Sequence, residues 1–226
     1  LQITAAAGLS LGEWTALTAT DALGFEQGLL LVQKRAAFMQ EACETTQGGM
    51  VSVIGLPDSV VVEICREADV DIANLNCAGQ IVISGEKAKL CLASELAKRH
   101  GAKRTIPLAV AGAFHSRLMQ SAQDKLAIAL QQIEIRPPKA TVIHNVTARP
   151  AASPDEIKRL LIQQVSSPVR WNDSMQWLIQ QGYTRFIELG PGTVLSGLMK
   201  RINKDVEMLH VSDAQSLEET AAQLDT

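Results

Sequence analysis

Gly8-Leu9-Ser10-Leu11-Gly12 is the stretch from which the fold is read. Its G-x-S-x-G pattern places a serine on a tight turn between a strand and a helix. Upstream, Ile3 to Ala7 are apolar and mostly small, which suits the end of a buried strand. Downstream, Glu13 to Leu23 read as the helix that follows. Glycine is expected on both sides of the serine because the backbone and the helix pass close there and a Cβ would clash. The turn presents the Ser10 hydroxyl at a helix N-terminus, with the Leu11 N–H facing any oxyanion formed on it. A plain Gly-rich strand–helix turn has the same five residues, so a nucleophilic role for Ser10 needs partners elsewhere in the chain.

The bulk properties are those of a globular protein. The chain has 226 residues, 46% hydrophobic and 20% charged, enough for one large domain or two modest ones. Aromatic residues make up only 4%, so Ala, Leu and Val must fill the core. The formal net charge of −3, from 21 basic and 24 acidic residues, argues against a general nucleic-acid binder. No apolar run approaches the roughly 18 residues a membrane span requires. Cys43, Cys65, Cys77 and Cys91 form no C-x-x-C pair and have no histidine at zinc-ligand spacing. Cys65 and Cys91 read as buried reduced thiols on apolar helix faces, which suggests a reducing compartment. The chain starts at Leu1, so an upstream segment, with any targeting signal, is expected. The expected location is cytoplasmic, or an organelle stroma or matrix if that segment carried a transit peptide.

Along the chain, Gly24 to Glu44 read as a long helix with a broad apolar stripe of Leu29, Leu30, Val32, Ala36 and Met39. Residues 48–109 then run strand (Met50–Leu56), helix (from Pro57-Asp58 to Ala68), strand (Asp71–Ala73), strand (Gln80–Ser84), helix (Glu86–His100) and strand (Arg104–Val110). That order is ferredoxin-like. Asn74 to Gly79 read as the loop between its middle strands. Further helices are expected over Ser116–Ile133, Asp155–Val165, Ser174–Gln181 and Thr193–Ile202, with strands at Ala140–Asn145, Arg185–Leu189 and Glu207–Val211. The fold class expected is α/β. A parallel-sheet core spans 1–47 and 110–226, carries the serine elbow, and is interrupted at 48–109 by a ferredoxin-like α+β subdomain.

A serine nucleophile needs a base with a pKa suited to taking and returning its proton near neutrality. His115, in Ala111-Gly112-Ala113-Phe114-His115-Ser116, is expected just after a strand and just before a helix, at the rim of a sheet, where a loop residue can reach a neighbouring strand end. The alternative for this histidine is a structural one. His100 follows Lys98-Arg99 at a helix end, His144 sits in a strand, and His210 is near the C-terminus, so all three compete poorly.

At this point the chain resembles the malonyl-CoA:acyl carrier protein transacylases and the acyltransferase domains of fatty-acid and polyketide synthases. The resemblance runs from about residue 4 to about residue 212. It rests on GLSLGE (8–13), LVQKRAAFMQEA (31–42), NLNCAGQIVISG (74–85), AGAFHSRLM (111–119), SSPVRW (166–171) and ELGPGTVLSGLMKR (188–201). It implies Ser10 as nucleophile, His115 as general base and acid, and Arg35 as the clamp for a free malonyl carboxylate. A planar guanidinium suits that task better than an ammonium. The alternative for Arg35 is a solvated surface cation. No Asp or Glu stands out as a triad acid. The resemblance implies instead a backbone carbonyl near Gln164 that orients the histidine, an arrangement Ser–His chemistry tolerates. Asn76 and Gln164 are further site candidates, with loop hydrogen bonding as the alternative for both. Phe114 resembles its counterpart in malonyl-selective members, where the ring crowds an α-methyl branch for about 1–3 kcal/mol of discrimination. Core packing is its alternative.

What the resemblance implies for activity is a two-step transfer of malonyl from CoA to the phosphopantetheine thiol of acyl carrier protein, through an O-malonyl-serine. It implies no metal and no cofactor beyond the malonyl-CoA substrate. The expected partners are acyl carrier protein and malonyl-CoA, with no nucleic acid and no membrane, and the chain is expected to be a monomer. Lys200, Arg201 and Arg117 could form a docking patch for the acidic carrier protein, or could be ordinary solvated surface. The family begins with a strand and a Gly-Gln-Gly loop whose Gln supplies a second oxyanion donor. Nothing like it precedes Leu1, so this chain is expected to be inactive or unstable unless another polypeptide supplies that segment. The rivals are an α/β serine hydrolase or thioesterase, which should carry an acid between Ser and His in chain order, and an inactive carrier-protein-binding fragment.

Overall fold

The computed structural model describes residues 2–224. Two compact units are observed, residues 1–174 and 175–226. The first opens with strand β1 (Ala5–Ala7), then helices α1 (Leu11–Ala19) and α2 (Phe25–Thr45). β1 pairs in parallel with β6 (Thr141–Ile143), Ala6 standing opposite Val142. β1 is half-buried rather than buried, because its only ladder among the described residues is with β6.

Residues 48–107 supply strands β2 (Gly48–Ile54), β3 (Asp71–Cys77), β4 (Gln80–Glu86) and β5 (Arg104–Pro107), with helices α3 (Asp58–Ala68) and α4 (Lys87–Arg99). The sheet is antiparallel throughout in the order β3-β4-β2-β5, the ferredoxin-like arrangement. Period-two alternation explains its two faces. Val51, Val53, Ile81 and Ile83 meet Val61, Ile64 and Cys65 of α3 and Leu90, Ala93 and Ala97 of α4. Those helix residues recur at three- and four-residue spacing, as one buried stripe requires. On the other face Met50, Ala73 and Val82 pack with Phe114, so this sheet supports the loop that carries His115.

The compact units do not separate at residues 47 and 110, where the sequence placed the subdomain boundaries. The 48–107 sheet is tied to the rest of the first unit by backbone bonds from Leu75 N–H to the Val169 carbonyl (2.9 Å) and from Val169 N–H to the Ala73 carbonyl (2.8 Å). A further difference lies in β3. The sequence ended it at Ala73, but the ladder with β4 continues to Cys77 through register shifts after Ile72 and Leu75. A two-residue turn follows, with Gly79 at φ 70°, the left-handed region glycine enters freely. Asn76 is therefore a strand residue.

The stripe on α2 also differs. Leu29 and Leu30 are exposed, and the buried row is Gly28, Leu31, Arg35, Met39, Ala42 and Cys43. Helical spacing selects that row and turns Leu29, Leu30 and Ala36 outward; apolar character alone does not reveal which row packs. The first unit closes with α5 (Gln120–Leu130), α6 (Pro154–Gln164) and the start of α7 (Trp171–Gln180). A short 3₁₀ turn, Arg117–Met119, replaces the expected first turn of α5. Cys65 is buried but Cys91 is exposed, because Cys91 lies off the buried row of α4.

The second unit holds a parallel pair, β7 (Arg185–Leu189) with β8 (Glu207–Val211), connected through α8 (Val194–Ile202). Glu188 accepts from the N–H groups of Leu195 and Ser196 at 2.9 and 2.8 Å, which satisfies donors at the open start of α8. Helix α9 (Ala214–Leu224), which the sequence reading left out, packs on β8 and donates from Thr220 to the His210 carbonyl at 3.1 Å.

Candidate active site

The site is built on the turn between β1 and α1. Ser10 sits at φ 52° and ψ −98°, a left-handed conformation that costs a side-chain-bearing residue about 1–3 kcal/mol. The strain holds its side chain clear at the head of α1. A Cβ on Gly8 would stand 1.9 Å from the Gly12 carbonyl carbon, whereas a Cβ on Gly12 would meet nothing within 4 Å. The close approach expected of both glycines therefore applies to Gly8 alone, since Gly12 already lies in the first turn of the helix with its Cβ direction open. Leu11 is the first residue of α1, where N–H groups have no intrahelical acceptor.

Ser10 Oγ lies 2.8 Å from His115 Nε2. His115 Nδ1 lies 2.8 Å from the Gln164 backbone carbonyl. A carbonyl can only accept, so Nδ1 carries the proton and Nε2 is left as the acceptor for the serine O–H. His115 is 4% exposed and itself has a positive φ of 57°. Burial, with the Arg35 charge beside it, pushes its pKa down to about 4, against the opposing pull of the Gln164 and Ser167 backbone. The imidazole is thus neutral at pH 7, as a base must be.

Arg35 comes from the buried row of α2, and its guanidinium donates to Ser10 Oγ at 2.8 Å and to Gln164 Oε1 at 3.2 Å. Burial lowers its pKa to about 10, while Glu13 favours the charged form, so it remains a cation at neutral pH. Its Nε is buried without a hydrogen-bond partner. Unlike the neighbouring exposed Lys34, Arg35 is not a surface cation.

The other expected residues are placed as follows. Gln164 is fully buried and central to the site. Phe114 is half-buried and packs against two apolar clusters. Asn76 makes no hydrogen bond to Ser10, His115 or Arg35; it is half-buried with Oδ1 unpartnered. Arg117 is engaged with Asp69 (2.6 Å) and Asp71 (3.1 Å), so it is not a free docking cation.

Three residues the sequence reading missed hold the floor of the site. Asn145 Oδ1 accepts from the Ser10 N–H at 2.7 Å, and Asn145 Nδ2 donates to the Gly8 carbonyl at 2.7 Å, bracing both sides of the strained turn. Glu13, fully buried, accepts from His144 Nδ1 at 2.7 Å, from the Asn145 N–H at 3.0 Å and from Gln164 Nε2 at 2.6 Å. Glu13 and His144 were in view as a helix residue and a strand residue. Their pairing across 131 positions had no local signal.

A hydroxyl on a strained strand–helix turn thus meets a neutral buried imidazole and a buried cation, in a protein of the acyltransferase class. The chain belongs to the acyl transferase domain family, whose family model matches residues 2–220. It is 45% identical over 217 residues to the malonyl CoA-acyl carrier protein transacylase of Bacillus subtilis (strain 168), covering 94% of this chain and 68% of that protein. The solved malonyl CoA-acyl carrier protein transacylase of Coxiella burnetii superposes with a TM-score of 0.96 at 37% identity, over 100% of this chain and 73% of the other. A malonyl-transacylase solved in complex with its type II polyketide acyl-carrier protein gives a TM-score of 0.93 at 38% identity, covering 96% and 72%.

Proposed function

We propose that this enzyme transfers a malonyl group from CoA to the phosphopantetheine thiol of acyl carrier protein, in fatty-acid or polyketide synthesis, through an O-malonyl-Ser10 intermediate. The observation that carries this is the meeting of three groups at one atom. Ser10 Oγ lies 2.8 Å from both His115 Nε2 and an Arg35 guanidinium nitrogen. The names of the relatives supply malonyl-CoA and the carrier protein; the geometry supplies the chemistry.

His115 takes the Ser10 proton at Nε2 as Oγ attacks the thioester carbonyl. The Leu11 N–H faces the developing oxyanion, a contact worth roughly 10²–10³ in rate where such donors have been removed. The C–S bond breaks, and the CoA sulfur leaves with the proton from His115. In the second half-reaction His115 takes the proton of the carrier-protein thiol, the sulfur attacks the O-malonyl ester, and Ser10 Oγ regains its proton. Ping-pong kinetics follow. Arg35 is the cation placed to pair with the malonyl carboxylate, a partner that a planar guanidinium suits. The catalytic pair has a neutral carbonyl where hydrolases place an acid, and the buried cation gives selectivity for an anionic acyl group.

Incubation of the protein carrying the upstream segment expected from the sequence with malonyl-CoA, followed by mass spectrometry of the Ser10 peptide, tests the proposal. A malonyl adduct on Ser10, discharged by the carrier-protein thiol faster than by water, is expected. Absence of the adduct, or its discharge to water at the same rate, would count against it.

A further inference from the structure

Glu13 is a carboxylate that this mechanism leaves unused. It is 0% exposed, and among the described residues no Lys or Arg lies within ion-pair distance of it; its one pairing is with the equally buried His144. Burying a charged group without a strong cationic partner is costly, so three donors converge on it: His144 Nδ1, the Asn145 N–H and Gln164 Nε2. Two of these donors belong to residues that set the site. Asn145 braces the Ser10 turn. Gln164 touches three catalytic elements: its backbone carbonyl meets His115, its Nε2 donates to the Ser10 carbonyl at 3.0 Å, and its Oε1 accepts from Arg35.

The Gln164 amide has two ends of opposite character. Glu13 can only accept, so the amide nitrogen must face it, and the amide oxygen then faces Arg35 and Trp14 Nε1. With the amide reversed, an NH₂ group would meet the Arg35 guanidinium donor to donor, and an oxygen would meet the Glu13 carboxylate. We propose that Glu13 is a positioning residue for the acyl-transfer reaction: by fixing the orientation of the Gln164 side chain, it holds the Arg35 guanidinium at Ser10. The inference rests on the acyl-transfer reading above and extends it to the control of acyl selectivity. Glu13 acts on the anionic substrate through two residues and touches no reacting atom.

Glu13→Leu keeps much of the volume and removes both acceptor oxygens, leaving the Ser10 carbonyl as the nearest acceptor for Gln164 Nε2. In crystals of the full-length protein carrying E13L, the Arg35 guanidinium is expected beyond hydrogen-bond distance of Gln164. The ratio of malonyl to acetyl loading on Ser10 is expected to fall roughly tenfold or more, the scale of a lost charge-assisted hydrogen bond, because only the malonyl group has a carboxylate for Arg35. Glu13→Gln is the conservative rescue: its one amide oxygen accepts from both the Asn145 N–H and Gln164 Nε2, as Glu13 Oε2 does, while its NH₂ turns to His144 Nδ1, so the guanidinium and the ratio are expected to return to their wild-type values. Gln164→Leu is the second route should E13L fail to fold: it keeps the backbone carbonyl on His115, cuts the link from Glu13 to Arg35, and should lower the same ratio. A guanidinium unmoved in E13L, or a ratio unchanged in E13L or in Q164L, overturns the proposal. Full-length wild-type protein left unlabelled by malonyl-CoA would instead count against the acyl-transfer reading, while the crystal position of Arg35 judges Glu13 independently of activity.

Discussion

Ser10 Oγ and His115 Nε2 stand 2.8 Å apart although 105 residues separate them in the chain. Each is held from behind by a different element: Asn145 fixes the Ser10 N–H, and the Gln164 carbonyl fixes His115 Nδ1. The pair is thus held in one geometry from two sides, the arrangement that the proposed acyl transfer requires. Replacement of His115 by Ala should reduce the rate of Ser10 acylation by about 10²–10⁴, read by quenched-flow loading with malonyl-CoA. A loss below tenfold would mean that another group takes the proton.

The depressed pKa of His115 sets a pH window. Its folded value is about 4, against an ordinary value of 6.5. Between those values the unfolded chain binds the extra proton and the folded one does not, so stability rises with pH across the window and is lost as pH falls through it. The contribution is on the order of 3 kcal/mol once pH exceeds 6.5. Chemical denaturation of wild type and His115→Ala at pH 4.5 and 7 measures it, and the difference in stability between the two pH values should shrink in the variant. Acylation should likewise hold down to about pH 5 and fall as pH approaches 4; a fall centred near 6.5 would contradict the assignment.

Gly8 and Gly12 flank the serine symmetrically in sequence and asymmetrically in space. Gly8→Ala drives a methyl to within 1.9 Å of backbone, and overpacking that neither side can relieve should cost about 3 kcal/mol or more. Gly12→Ala meets nothing and lies in a helix, where the exchange is worth up to about 1 kcal/mol of added stability. Melting temperatures of the two variants should therefore move in opposite directions.

Asn145→Ala leaves the Ser10 N–H and the Gly8 carbonyl without partners. Each unsatisfied buried group costs about 1–3 kcal/mol. Because both lie on the strained turn, acylation should fall by more than a stability loss alone would produce when measured well below the melting temperature. Unaltered acylation in a destabilised variant would show that the turn holds its shape without the brace.

The Arg117 pairs with Asp69 and Asp71 are a control. All three side chains are substantially solvent-accessible, so the network should contribute no more than about 1 kcal/mol. Arg117→Ala should shift the urea midpoint only slightly, and less at high salt.

Much of this protein is written locally. Gly8-Leu9-Ser10-Leu11-Gly12 marks the strand–turn–helix, and the three- and four-residue spacing of Val61, Ile64, Cys65 and Ala68 marks a helix packed on one face of a sheet. Helix and strand periodicities follow from backbone geometry within a few residues of each position. The tertiary structure alone decided that Arg35 faces inward while Leu29 and Leu30 face out, that Cys91 is exposed, and that Glu13, His144, Asn145 and Gln164 lock together beneath the serine. Those relations join side chains up to 151 positions apart. They are set by which faces pack and which buried polar groups must find partners, and neither condition leaves a periodic trace along the chain.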